Sequence, residues 1–204
     1  MPDEDKLQTI ARLRNLIADG SSADSEDPSC ASTDVQADSS TDITDIDSAR
    51  QIALRRIEVR ARSCAELRKD LLVRHVSSEI ADQIVARFLD TGLLNDREFA
   101  RAWVQSRRST RSLSSMKLRQ ELQAKGLNEA DITEALAGVD SSDQETALHF
   151  ARIKIKPLMR LDAATRLRRL TAQLARRGFS YSIIQKTVTA VMDEVTIGTI
   201  VDDE

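Results

Sequence analysis

Two histidines, His75 and His149, and two cysteines, Cys30 and Cys64, are the only side chains of their kinds in the 204-residue chain. None of them stands at a spacing that would build a reactive centre. A zinc hydrolase needs ligands such as the two histidines of an H-E-x-x-H helix turn, and a phosphate cradle needs a Gly-rich loop before a helix; neither pattern occurs. Cys64 has no partner base of the kind a nucleophile requires. Cys30 and Cys64 lie in segments of unlike character and read as free thiols, neither a disulfide framework nor a metal site. The expectation is a protein that is not an enzyme, with no catalytic residue, no metal and no cofactor.

The chemistry the chain does offer in quantity is cationic. Arginines and lysines cluster as Arg55, Arg56, Arg60 and Arg62; Arg107, Arg108 and Arg111; Lys154, Lys156 and Arg160; Arg166, Arg168 and Arg169; and Arg176 with Arg177. A guanidinium fork grips a phosphate or a carboxylate through two parallel hydrogen bonds, so a preference for Arg over Lys suits a nucleic-acid backbone or an acidic protein groove equally. No aromatic residues interleave with the clusters, which argues against a stacking platform for single strands.

The formal charge of −3 conceals how unevenly charge is spread. Residues 1–47 hold twelve Asp/Glu against three Lys/Arg, and residues 48–192 hold twenty-seven Lys/Arg against sixteen Asp/Glu. Asp193, Glu194, Asp202, Asp203 and Glu204 form an acidic tail. A basic body between acidic ends points to a polyanionic partner, and the plainer alternative is that the arginines only solvate helix faces. The leader is rich in Ser and Asp with few large apolar side chains, so it cannot bury enough surface to offset its ordering entropy. It is expected to be mostly disordered, with one short amphipathic helix from Leu7 to Ile17, and to lie against the basic body as a weak electrostatic competitor. No run approaches the roughly 20 apolar residues of a membrane span, and the acidic N-terminus lacks the features of a signal peptide, so a cytoplasmic location without membrane contact is expected.

Positioning these cations falls to helices. Ala, Leu, Arg, Glu and Gln dominate the body, and capping pairs punctuate it. Ser48 with Gln51, Ser63 with Glu66, Asn95 with Glu98, Asn128 with Asp131 and Ser142 with Glu145 mark starts, joined by Ser77 or Ser78, Ser114 or Ser115, Asp162 and Ser180. Gly92, Gly126, Gly138, Pro157 and Gly178 mark stops. About nine helices result.

One pattern recurs three times: Leu67, Leu71, Arg74, His75, Val76; Leu118, Leu122, Lys125, Gly126, Leu127; and Leu170, Leu174, Arg177, Gly178, Phe179. Apolar positions continue in step at Ala81, Ile132 and Ile184, then at Val85, Leu136 and Val188. A fixed period reads as a stack of similar units. Ala53, Leu54, Ile57 and Ala61 match Ala147, Leu148, Ala151 and Ile155 on one helix face, with Phe99, Ala100 and Trp103 in the corresponding places, so Phe99 and Trp103 are expected in the core. His75 stands where the other units carry glycine and reads as a left-handed helix C-cap. The predicted organisation is all-α: an acidic leader (1–47), three-helix units at 48–94, 95–140 and 141–195 forming an elongated curved array, and an acidic tail (196–204). Helices of about 15 residues are ~22 Å long, so three stacked units would reach roughly 60 Å.

The stretch A-L-x-x-I-x-x-R-x-R-S-x-x-E-L-R from Ala53 to Arg68, followed by G-L-L-N-D-R-E-F-A from Gly92 to Ala100, resembles the RecX family of regulators of the RecA recombinase. K-L-R-Q-E-L-Q-A-K-G-L from Lys117 to Leu127 and L-A-R-R-G-F-S-Y from Leu174 to Tyr181 resemble that family's second and third units. The resemblance covers about residues 48–195. It implies nine helices in three tandem units, binding along the groove of the RecA filament on DNA, and modulation, usually inhibition, of ATP hydrolysis and strand exchange in recombination, repair and the SOS response. His75 departs from the usual Lys-Gly pair, and the leader has no counterpart in the pattern.

Three readings compete. A direct DNA reader built from helix-turn-helix-like units needs polar base-contacting residues at the start of a recognition helix, whereas the candidate helices begin Cys64-Ala65-Glu66, Met116-Lys117-Leu118 and Ala163-Ala164-Thr165. A generic scaffold does not need so basic a body. The filament regulator remains: a monomer whose partners are the RecA nucleoprotein filament and, weakly, DNA, with the fifteen clustered cations as candidate contacts.

Overall fold

A computed structural model describes residues 45–201. Among these, nine α-helices follow one another with no strand: α1 (Ile46–Val59), α2 (Cys64–Val73), α3 (Ser78–Asp90), α4 (Asp96–Arg111), α5 (Ser115–Ala124), α6 (Glu129–Ala135), α7 (Asp143–Ile155), α8 (Ala163–Arg176) and α9 (Tyr181–Val201). Single 3-10 turns, Asp140–Ser142 and Lys156–Leu158, precede and follow α7. The helices form three groups of three. The expectations for the leader helix, for Cys30 and for the leader's contact with the body fall outside the described residues.

Most starts follow the capping chemistry. Ser63 accepts from the Glu66 amide while Glu66 receives the Ser63 amide, a reciprocal box. Asn95, Ser77 and Asp162 each accept from the amide three residues on. Two starts differ from expectation. α1 is capped by Asp45, whose carboxylate accepts from the amides of Asp47 and Ser48 and from the Ser48 hydroxyl, so the helix begins ahead of the Ser48–Gln51 pair. A carboxylate at that point also meets the positive end of the helix dipole. Ser142 caps nothing, because its hydroxyl donates to the Val139 carbonyl inside the 3-10 turn. The last helix, α9, runs on to Val201, past the residue 196 at which the acidic tail was expected to begin. Nothing in that stretch ends a helix, and adding residues to a formed helix is cheap.

The repeat is a repeat of burial. Leu67, Leu118 and Leu170 are fully buried, as are Leu71, Leu122 and Leu174, and Val76, Leu127 and Phe179 close each set. The first group packs Ala49, Ala53 and Ile57 of α1 against Leu67 and Leu71 of α2 and Ala81, Ile84 and Phe88 of α3. The third packs Ala147, Ala151 and Ile155 of α7 against Leu170, Leu174, Ile184 and Val188 in the same manner. Contacts divide the described residues into two bodies, one of residues 45–106 with Lys125–Asn128, the other of Arg107–Ala124 with residues 129–201.

His75 adopts φ +59°, and the Val76 amide returns to the Leu71 carbonyl at 3.1 Å, so the first group closes α2 with a left-handed C-cap. Gly126 (φ +77°) and Gly178 (φ +83°) hold the same place in the other groups under a second constraint. A Cβ on Gly126 would lie 2.4 Å from Ala65 Cβ, and one on Gly178 would lie 2.8 Å from Lys117 Cβ and Ser114 Oγ. These turns press against the start of the preceding group's second helix. Among the described residues no group precedes the first, and there His75 stands in place of glycine.

Substitution should separate the two constraints. Gly92→Ala, with open space around its Cβ, should cost only the left-handed penalty of about 1 to 2 kcal/mol. Gly126→Ala should cost roughly 2 to 4 kcal/mol, because overpacking is added. Urea unfolding of the two variants checks the difference, and equal losses would show that the Ala65 contact carries no weight.

Candidate functional site

The cations singled out by sequence divide into framework and surface. Arg62 places its guanidinium 3.0 Å from the Asp70 carboxylate and donates to the Arg56 carbonyl at 3.2 Å, with its side chain 10% exposed. Burial and the neighbouring Arg60 depress its pKa from the ordinary guanidinium value, against the pull of Asp70 and Glu66. Arg56 reaches the same Asp70 at 3.7 Å and Arg60 reaches Glu66 at 3.6 Å. Arg107 meets Glu121 at 3.7 Å. Arg166 leans on Met159 and the Leu161 carbonyl. Arg177 lies over the Phe150 ring at 3.8 Å, where burial and the adjacent Arg176 lower its pKa.

Arg108 is the most deeply engaged. It donates to the Leu113 and Val139 carbonyls, to Ser142 Oγ, and to the buried Asp143 carboxylate. Asp143 in turn accepts from the Ser115 amide at 3.1 Å and the Ser115 hydroxyl at 2.9 Å. Arg107, Arg108 and Arg111 are all half-buried, so this cluster presents no open cationic face. Phe99 is in the core as expected, but Trp103 is only half-buried, stacked on Phe99 at 5.8 Å with the Lys125 ammonium 4.0 Å over its ring.

Arg55, Arg60, Lys154, Lys156, Arg160, Arg168, Arg169 and Arg176 are exposed. Six of these eight belong to the third group. Between residues 152 and 177 the chain carries nine Lys/Arg and one acid, Asp162, and Asp162 is occupied capping α8. Arg152 is answered by Glu194 across a 2.5 Å ion pair. On the exposed side of α8, Arg168 and Arg169 lie about 10 to 12 Å from Arg176 along the helix axis, with Lys156 and Arg160 in the segment leading to that helix.

Sequence reasoning passed over a second set of residues, those that join one group to the next. The Cys64 amide, at the start of α2, donates to Asp96 at 2.9 Å, and the Ser63 hydroxyl donates to the Lys125 carbonyl at 2.6 Å. Lys125 Nζ then closes on Glu66 at 2.8 Å. The Ser115 amide, at the start of α5, meets Asp143 in the same way, and the Ser114 amide donates to the Arg177 carbonyl at 3.1 Å. An aspartate at the first helical position of α4 and again of α7 was the available signal. Burial alone would raise the Glu66 pKa, but Lys125, Arg60 and the Ser63 amide outweigh it, and it lies below the ordinary glutamate range.

Among the described residues no three His, Cys, Asp or Glu side chains cluster to hold a metal ion, and no helix is long and apolar enough to cross a membrane. Three family models match in order: the first three-helix domain of RecX over residues 49–88, the second over 95–136 and the third over 141–188. A regulatory protein RecX of Streptomyces coelicolor is 35% identical over 150 residues, covering 73% of this chain and 80% of the relative.

The chain belongs to the RecX family.

A regulatory protein RecX of Mycobacterium marinum is 38% identical over 144 residues, covering 70% of this chain and 83% of its own. The crystal structure of RecX from Lactobacillus salivarius superposes with a TM-score of 0.61 at 20% identity, over 71% of this chain and 95% of that one, which speaks for the fold. The family name is that of a regulatory protein, and the three matched domains coincide with the three helix groups.

Two stability predictions follow from the framework set. Arg108→Ala would leave the Asp143 carboxylate buried without a counter-charge and should cost about 3 to 5 kcal/mol, whereas exposed Arg169→Ala should stay within about 0.5 kcal/mol of the parent; chemical unfolding measures both, and an Arg108→Ala protein as stable as the parent would remove Arg108 from the framework. Glu66→Gln should cost about 1 to 2 kcal/mol at pH 7. Because the folded carboxylate titrates below its unfolded value of about 4.3, its contribution is present above that pH and lost as pH falls through the depressed value. The gap between parent and Glu66→Gln should therefore close toward pH 3, and an unchanged gap there would mean that charge is not what Glu66 supplies.

Proposed function

We propose that this protein regulates the RecA recombinase by binding the RecA filament on DNA, and that it lowers the filament's ATP hydrolysis and strand exchange. The observation that carries this reading is the ordered match of all three RecX domains to the three helix groups. The charge supports it, since a body of twenty-seven Lys/Arg against sixteen Asp/Glu over residues 48–192 suits a polyanionic assembly. In this reading the protein works in the cytoplasm as a monomer, by contact and without a cofactor.

Several modest contacts suffice for such a partner, because linking binding groups on one chain makes each later contact intramolecular. Seven of the exposed cations, Arg55, Lys154, Lys156, Arg160, Arg168, Arg169 and Arg176, are the ones proposed to face the filament. The framework arginines act through the fold that presents them.

The test is RecA-catalysed, single-strand-dependent ATP hydrolysis with increasing amounts of this protein. A dose-dependent fall in rate is expected. An unchanged rate at stoichiometric and higher amounts, with the added protein shown to be folded by circular dichroism, would overturn inhibition as its role.

A further inference from the structure

Cations of the first group are answered close at hand. Arg56, Arg62 and Arg74 share Asp70, Arg60 meets Glu66, and Arg68 meets Asp82. The third group differs, because residues 152–177 carry nine cations and one acid, a net charge of +8. Asp162 is committed to the α8 N-terminus, and Glu194 to Arg152. Lys156, Arg160, Arg168, Arg169 and Arg176 stand exposed, with the small side chains of exposed Ala172 and Ala175 among them on α8.

The complementary charge lies elsewhere in the same chain. Residues 1–18 balance three acids with three bases, whereas residues 19–44 hold seven Asp/Glu and no Lys/Arg, a net charge of −7. The acidity of the leader is thus concentrated in the stretch that leads directly into α1. Val35 and Ile43 are the only large apolar side chains of that stretch, so apolar burial contributes little to any contact it makes. A chain of that length can span up to about 90 Å, so the tether does not limit which exposed surface it meets.

We propose that residues 19–44 occupy the cationic face of α8, with Lys156 and Arg160, within the same molecule, and that this autoinhibitory contact is held by charge. Arginine forks pair with carboxylates as well as with phosphates. Tethering gives the segment an effective concentration on the order of 1 mM, so even an association with a dissociation constant of about 0.2 mM keeps roughly five molecules in six closed. A second copy competes with the tethered segment only when the protein itself approaches that concentration. Seven charges spread over the extended segment stand about 12 Å apart, whereas duplex DNA carries one per about 1.7 Å of its axis. The segment therefore keeps sparse polyanions off the face and yields to dense ones, which sets a threshold on the charge density of what binds there. This regulation goes beyond the RecA reading and is tested without RecA.

The experiment uses the full-length protein and Cys30, which lies inside the segment. Cys64→Ser leaves Cys30 as the single thiol, a nitroxide is attached to it, and paramagnetic broadening of backbone amide signals is recorded at low and at moderate salt. Broadening should centre on residues 156–176 and fade as salt screens the contact. It should be largely lost in R168A/R169A/R176A and in the leader variant D24N/E26Q/D27N/D34N/D38N/D42N. A mixture of spin-labelled protein with isotope-labelled protein that carries no nitroxide should show none. In parallel, the leader variant should bind a fluorescent DNA duplex about sixfold more tightly than the parent at low salt, and the gap should close as salt rises. Broadening that is absent, spread evenly over the described residues, centred on the first group or unchanged in R168A/R169A/R176A would overturn the contact, and broadening in the mixed sample would assign it to a second molecule instead. Equal DNA affinity of parent and leader variant across the salt titration would overturn the masking.

Discussion

A helix cannot satisfy its own first amide groups, and in this chain that deficit joins one group to the next. At the start of α2, Ser63 and Glu66 form a box, but the Cys64 amide depends on Asp96, and the Ser63 hydroxyl finds its acceptor in the Lys125 carbonyl. The start of α5 repeats the arrangement with Asp143 and Arg177. The glycines follow from it: a turn that delivers a carbonyl to another helix's first residues must come so close that Gly126 and Gly178 have no room for a side chain. Arg108 follows too, since a carboxylate buried beneath that junction needs a counter-charge, and Arg108 brings one while satisfying the Val139 and Leu113 carbonyls.

Much of this was legible in the sequence because helices and repeats announce themselves locally. The leucine pairs recur at an almost constant interval, 51 and then 52 residues, and each proved fully buried. His75 read correctly as a left-handed cap, since its position repeats that of two glycines. What could not be read was which job each arginine does. Arg60 and Arg62 are two residues apart with the same chemistry, yet one is exposed and the other is shut against Asp70. Arg107 and Arg108 stand together in a cluster of candidate contacts, but the Asp143 carboxylate, thirty-five residues along the chain from Arg108, draws that guanidinium inward. Burial of a charged residue is decided by a partner distant in sequence, and residue type carries no mark of it. The boundaries were misread for a related reason: Asp45 lay in a segment judged by its average composition, which hid one well-placed cap.

The same division explains how a near-neutral chain can present a concentrated charge. Acids and bases in the first group answer one another, as Arg62 with Asp70, Arg60 with Glu66 and Arg68 with Asp82 do. Exposed pairs of this sort add little to stability, but they cancel field. In the third group nine cations share one acid between residues 152 and 177, and that acid is fixed at the α8 N-terminus. The field is therefore set less by how many arginines the chain has than by where their acids are missing.

Among the described groups, the first and the third each depart from the pattern of the second. Here the two changes are of different kinds. In the first group one side chain suffices: His75 keeps the left-handed turn but adds a Cβ, so this turn cannot press against another helix start as Gly126 and Gly178 do. In the third group the receiving helix itself is rebuilt. α8 gains a full turn before Leu170, Asp162 caps it without help from a neighbour, and Arg166 stands where the other groups carry Ser63 and Ser114. Glutamate or lysine would suit an exposed helix as well. Arginine at Arg166, Arg168 and Arg169, with no acid beside them except the cap, leaves this stretch of α8 concentrated in positive charge.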